Sequence, residues 1–168
     1  MFLKNYTSAV PISDTIHRIE KVLIRCGVSG IMKEYGLNGK VMAITFQVPD
    51  PHGKDGKLTI RLPADEEKAL DALWLDYVDG DKLNSKGDAV SEWSSRKRKR
   101  RLDFADQAAR TAWKIVQDWV EVQMSMIQLK QADLIQVFLP YVYDGRRTYY
   151  QALKESGFHG LLPEKTEP

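Results

Sequence analysis

Residues 104–139 read FADQAARTAWKIVQDWVEVQMSMIQLKQADLIQVFL, and the segment from Asp103 to Leu139 carries no Gly or Pro until Pro140. Ala105, Ala108, Ala112, Ile115, Trp119, Val122, Met126 and Leu129 recur at alternating spacings of three and four, so they line one face of a helix. Ala109, Trp113, Val116, Val120 and Ile127 widen that stripe well beyond a narrow seam. So broad an apolar face predicts the central helix of a core, not a two-stranded coil. A helix of 36 residues would reach ~54 Å at 1.5 Å per residue. That exceeds what a compact chain of this length can cover, so the sequence predicts a kink within Ser125 to Gln131, its least apolar part, or a homodimer.

Immediately before this helix stands Arg96-Lys97-Arg98-Lys99-Arg100-Arg101, six consecutive cations. The whole chain has net charge +2, and without those six the balance is 19 basic against 23 acidic side chains, a net of −4. Positive charge is therefore gathered in one short segment on a mildly acidic body, which predicts a local anion-attracting feature. Cations at a helix N-terminus also oppose the macrodipole. The run must then be solvated or hold an anion.

The preceding residues alternate between the two regular periods. Ser13 or Asp14 is placed to cap a helix running to Arg25, with Ile12 as a staple, Ile16, Ile19, Leu23 and Cys26 inward, and Gly27 as the stop. Val28 to Tyr35 reads as a strand, followed by the turn Gly36-Leu37-Asn38-Gly39. Val41 to Val48 is a second strand, with Met42, Ile44, Phe46 and Val48 on one face. Pro49 to Lys57 is a loop, and Lys57 to Leu62 a third strand with Leu58, Ile60 and Leu62 inward. Pro63-Ala64-Asp65-Glu66-Glu67 opens a helix that buries Leu70, Leu73, Trp74 and Tyr77.

Beyond it, Asp79 to Ser95 is polar, too poor in apolar side chains to repay the entropy of ordering it. The reading is a mobile loop over 79–101, with Lys82 to Lys97 the first target of trypsin. After the long helix come a turn through Tyr141 to Arg147, a short helix from Thr148 to Ser156, and a fraying tail. The fold class expected is α+β: one domain over 1–168, a three-stranded antiparallel sheet packed on helices in the order α-β-β-β-α, then the long helix and a short terminal one.

Chemistry-bearing patterns are few. His17, His52 and His159 lie far apart, and Asp50-x-His52-x-x-Asp55 has ligand types but sits in a Gly/Pro loop. Asp76, Asp79 and Asp81 miss the spacing of a calcium loop. The reading is a non-enzyme with no metal and no cofactor. A metal-dependent activity drawing carboxylates from distant segments is the third-ranked alternative. Cys26 is the single cysteine, which excludes an internal disulfide and favours a reducing compartment. With no apolar stretch long enough to span a membrane, the expectation is a cytoplasmic protein.

Two functional readings follow. In the first, the chain binds nucleic acid, DNA or RNA, through Arg96, Lys97, Arg98, Lys99, Arg100 and Arg101, with Trp93 stacking on a base and Arg146 and Arg147 assisting. Tyr35, Phe46 and Gln47 on the strands would offer a single-strand platform, although aromatics on amphipathic strands are more often core. In the second, the chain is a stoichiometric inhibitor of a nucleic-acid-handling host protein complex. Its contact surface would be Asp65, Glu66 and Glu67 with the loop Asp76, Asp79 and Asp81.

The α-β-β-β-α order from Ser13 to Val78 resembles the double-stranded RNA-binding domain, which holds phosphates with lysines at the start of its second helix. Here that position is Ala64-Asp65-Glu66-Glu67, of opposite sign. The wording QAARTAWKIVQDWVEVQMSMIQL, with the start TSAVPISDTIHRIEKVL, resembles a group of small phage and prophage proteins. That resemblance implies a mobile-element setting: recombination or replication, or interference with host defence of the anti-CRISPR kind.

Overall fold

Helix α3, Ala105–Gln128, occupies most of the quoted stretch in the computed structural model, which describes residues 3–49, 56–81 and 100–159. The loop 50–55 with its Asp50, His52 and Asp55, the segment 82–99 with Trp93 and Arg96 to Lys99, and the tail from residue 160 lie outside the described residues. The fold is α+β. In chain order it comprises α1 (Ile12–Arg25), β1 (Ser29–Tyr35), β2 (Val41–Pro49), β3 (Lys57–Pro63), α2 (Glu66–Asp81), α3, α4 (Leu134–Phe138) and α5 (Tyr149–Glu155). Short 3-10 turns precede α3 at Arg101–Phe104 and follow α4 at Leu139–Tyr141. Two compact units divide the chain, one of residues 1–22 and 64–121, the other of residues 23–63 and 122–168.

In the first unit α2 and α3 run antiparallel. Phe104, at the start of α3, lies 5.2 Å from Tyr77 near the end of α2, and Trp113 Nε1 donates to Glu66 Oε1 at 3.3 Å near its beginning. Between these ends Ala108 and Ala112 meet Ala69, Leu70 and Leu73, with Leu3, Ala64 and Phe104 closing the margin. Alanines at this contact let the two backbones approach closely. The N-terminal segment straps across α3. Asn5 donates to Asp118, Thr111 donates to the Asn5 carbonyl, and Gln107 and Arg110 both donate to the Ser8 carbonyl.

The buried face of α3 differs from the expected stripe in its second half. Ala108, Ala109 and Ala112 are buried as the spacing predicts, but the face then continues through Trp113, Gln117, Val120 and Met124. Val122 and Leu129, placed inward by the sequence, are more than half exposed. The reason is Gln117, a polar side chain that occupies the core line at the required spacing and donates to Glu121 Oε1 at 2.6 Å.

In the second unit the sheet has the order β1-β2-β3, antiparallel throughout. Ile44 faces Leu62, Phe46 faces Ile60 and Val48 faces Leu58 across the β2–β3 ladder. Phe46 is fully buried edge-on against Phe138 of α4, ring centres 5.4 Å apart. Met42, expected on this inner face, is exposed near the hairpin end. The outer face of the sheet carries a cross-strand polar set: Glu34 accepts from Thr45 Oγ1 at 2.5 Å and from Arg61 Nε at 2.9 Å. The β1–β2 turn closes on Gly39 at φ 72, with Gly39 N–H donating to the Gly36 carbonyl and Gly36 N–H to that of Lys40. That is a type I turn with a glycine bulge.

Helix ends explain where the long stretch breaks. α1 begins at Ile12, so Ser13 and Asp14 lie inside its first turn and do not cap it; the Pro11 carbonyl takes the Thr15 N–H. At its other end Gly27 N–H bonds the Ile24 carbonyl and Val28 N–H that of Leu23, the paired closure in which a left-handed residue ends a helix. α3 ends the same way: Lys130 N–H bonds Ile127 O and Gln131 N–H bonds Met126 O, with Lys130 at φ 58. Asp133 then caps α4 by accepting from Gln136 N–H at 2.7 Å. The predicted 36-residue helix is thus a 24-residue helix, a left-handed stop and a five-residue helix.

These ends and the N-terminal strap generate two predictions. Lys130→Gly raises unfolding free energy by ~0.5–1 kcal/mol and Gly27→Ala lowers it by ~1 kcal/mol, read by urea unfolding, because only glycine takes the left-handed region freely. Partial burial pushes the Asp118 carboxyl up, but hydrogen bonds from Lys4, Asn5 and Lys114 outweigh it and hold it at about 2, against 3.8 when free. A depressed folded pKa stabilises above the free value and is lost as pH falls from about 4 to about 2. Asp118→Asn removes on the order of 1–2 kcal/mol at neutral pH. It also flattens stability across that acid window.

Candidate nucleic-acid interface

Of the six consecutive cations, Arg100 and Arg101 are described, and they part company. Arg100 is the N-cap of the 3-10 turn Arg101–Phe104 and its side chain is 84% exposed. Its N–H donates to Asp103 Oδ2 at 2.8 Å, and Asp103 N–H bonds back to the Arg100 carbonyl. Arg101 turns onto α2. Its Nε donates to Asp71 Oδ1 at 3.0 Å, and its Nη2 donates to the same oxygen at 2.6 Å and to Glu67 Oε1. Glu67 and then Asp71 hold the guanidinium pKa above its ordinary value.

The local geometry dictates this docking. Side chains at i and i+3 of a 3-10 turn eclipse, so Arg101 and Phe104 leave it on the same side. Phe104 enters the aromatic group of Trp74 and Tyr77, with Trp74 5.7 Å from Tyr77 and 6.3 Å from Phe104. Glu67, Asp71 and Trp74 lie one turn apart along α2, which presents carboxylates to Arg101 and rings to Phe104. The cations thus enter α3 without facing its N-terminus alone: Asp103 and Asp106 stand in the first turns, where negative charge is favourable.

The acidic surface proposed for protein binding is largely committed within its own unit. Asp65 caps α2, accepting from Lys68 N–H at 3.0 Å and pairing with Lys68 Nζ, whose side-chain hydrogen bond lowers its pKa. Glu66 accepts from Trp113, and Glu67 from Arg101. Asp76 is exposed on α2. The expected loop through Asp76, Asp79 and Asp81 is corrected: all three belong to α2, which continues a full turn past its last apolar contacts. The phosphate-binding mode of the double-stranded RNA-binding domain has no lysine to use here, because the helix start carries Asp65 as cap and two carboxylates behind it.

In the second unit, Arg146 and Arg147 sit in a tight turn, both backbone N–H groups donating to Asp144 Oδ1 at 2.8 Å. The Arg147 side chain is paired with Glu155, while Tyr149 and Tyr150 stay about half exposed. The strand platform is dissolved by burial: Phe46 is in the core, whereas Tyr35 is exposed at the end of β1. Cys26 is half-buried, its Sγ 3.8 Å from Gln128 Nε2. Among the described residues no cluster of three or more His, Cys, Asp or Glu is placed to hold a metal, and no helix is long and apolar enough to cross a membrane.

Comparison of the chain with protein-family models, with curated proteins and with solved structures finds no match. The interface must therefore be read from its own chemistry. Sequence reasoning found Arg101 but missed its partner Asp71, whose signal was its position four residues after Glu67, on the same helical face.

Asp65 offers a direct check on the separation of structural from surface carboxylates. Asp65→Ala lowers stability by ~1 kcal/mol through loss of the cap, whereas Asp65→Asn, which retains an acceptor oxygen, stays close to the parent. Thermal unfolding of the two variants measures the difference.

Proposed function

We propose that this chain is a non-catalytic nucleic-acid-binding accessory protein that takes phosphates with the basic run Arg96 to Arg101. The observation that carries the reading is the position of that run. Six cations on a body of net charge −4 end at an exposed Arg100, beside an Arg101 fixed to α2. A dense local charge with a rooted end suits a polyanion, because each neutralised phosphate releases condensed counterions. The mobile-element setting, in recombination or replication, rests on the resemblance to phage proteins.

The inhibitor reading uses Asp65, Glu66 and Glu67 as a negatively charged decoy. Those three carboxylates already serve Lys68, Trp113 and Arg101, which leaves less uncommitted negative charge than that reading requires. The nucleic-acid reading is therefore preferred. Arg146 adds a second exposed cation beside Tyr149 and Tyr150 in the other unit.

The test replaces Arg96, Lys97, Arg98, Lys99 and Arg100 by alanine and keeps Arg101, so that its pairs with α2 survive. Oligonucleotide binding by the parent should weaken with salt, with a log–log slope of about −0.9 per phosphate contacted. The five-fold variant should lose binding while its thermal midpoint barely moves. Binding that survives the change, or that ignores salt, removes the proposal.

A further inference from the structure

The two carboxylates on Arg101 do more than staple a turn. Arg101 is the member of the basic run whose guanidinium is described as engaged twice, through Nε and Nη2 to Asp71 and through Nη2 to Glu67. A carboxylate pair and a phosphate use the same planar donors of an arginine, so they exclude one another at those atoms. Glu67 and Asp71 are themselves well exposed, with 72% and 57% of their side-chain surface open, so solvent and a ligand reach the pair. From this geometry we infer that Glu67 and Asp71 compete with phosphate for Arg101 and thereby set the affinity of the basic run for nucleic acid. The inference rests on the nucleic-acid reading of that run.

The competition has a direction. The carboxylates are tethered to the same unit as Arg101 and act at a high effective concentration. An isolated phosphate or a mononucleotide does not displace them. A polymer anchored through neighbouring cations presents its next phosphate at a comparable effective concentration and meets the competition on equal terms. Glu67 and Asp71 thus discriminate against small anions and weaken binding to the polymer.

The experiment measures binding of a fluorescein-labelled oligonucleotide, single- and double-stranded, over a salt series. It compares the full chain with the Glu67→Gln/Asp71→Asn variant, each with and without Arg101→Gln. The carboxamide variant should bind roughly two- to tenfold tighter, as release from two exposed ion pairs allows. Its salt slope should steepen by about 0.9, one further phosphate contact. Arg101→Gln should change little in the parent and abolish the gain in the variant. Should the double variant fail to fold, the single changes Glu67→Gln and Asp71→Asn each carry a smaller gain in the same direction. Equal affinity and slope in parent and variant, while the five-cation change still abolishes binding, overturns this inference and leaves the proposed function standing. Absence of binding by parent and variant alike at every salt concentration overturns both.

Discussion

The close contact of α3 with α2 organises the first unit. Ala108 and Ala112 on one side and Ala69, Leu70 and Leu73 on the other leave little between the two helices. That closeness puts Trp113 within reach of Glu66 and delivers Phe104 to Trp74 and Tyr77. It also sets Arg101 over the Glu67–Asp71 step. A larger residue at Ala108 or Ala112 would press the helices apart and, since interiors are close-packed, disturb all of these together.

The same contact resolves an electrostatic conflict written into the chain. Six cations before a helix N-terminus are unfavourable to the helix they introduce. The chain meets this with Asp103 and Asp106 in the first turns, and with a 3-10 turn that aims Arg101 sideways at α2. One cation is thereby neutralised and Arg100 remains exposed. A basic run rooted in this way retains charge for a polyanion without loading it onto the macrodipole.

Much of the fold was legible in the sequence because alternation and capping are local. The three strands, the turn at Gly39 and the stop at Gly27 follow from patterns a few residues long. The end of α3 was legible only as a loss of apolar character in Ser125 to Gln131. The residue that makes the stop, Lys130, gives no sign of a left-handed conformation that usually calls for glycine or asparagine. The drift of the buried face onto Gln117 was hidden for a related reason: a polar residue in a core line reads as surface until its neighbours are known. At the interface, the charge run was plain in the sequence, while its pairing with Asp71 joins residues 30 positions apart and depends on how α2 and α3 pack.

The central claim is that phosphate meets this protein where the basic run joins α2 and α3. Amide hydrogen exchange, followed by mass spectrometry with and without a saturating oligonucleotide, locates that meeting without changing a residue. The account requires slowed exchange in peptides covering Arg96 to Phe104 and the first turns of α2, with the sheet unaltered. Slowing confined to β1–β3 or to the Asp144–Arg147 turn, with the basic run unchanged, would contradict it.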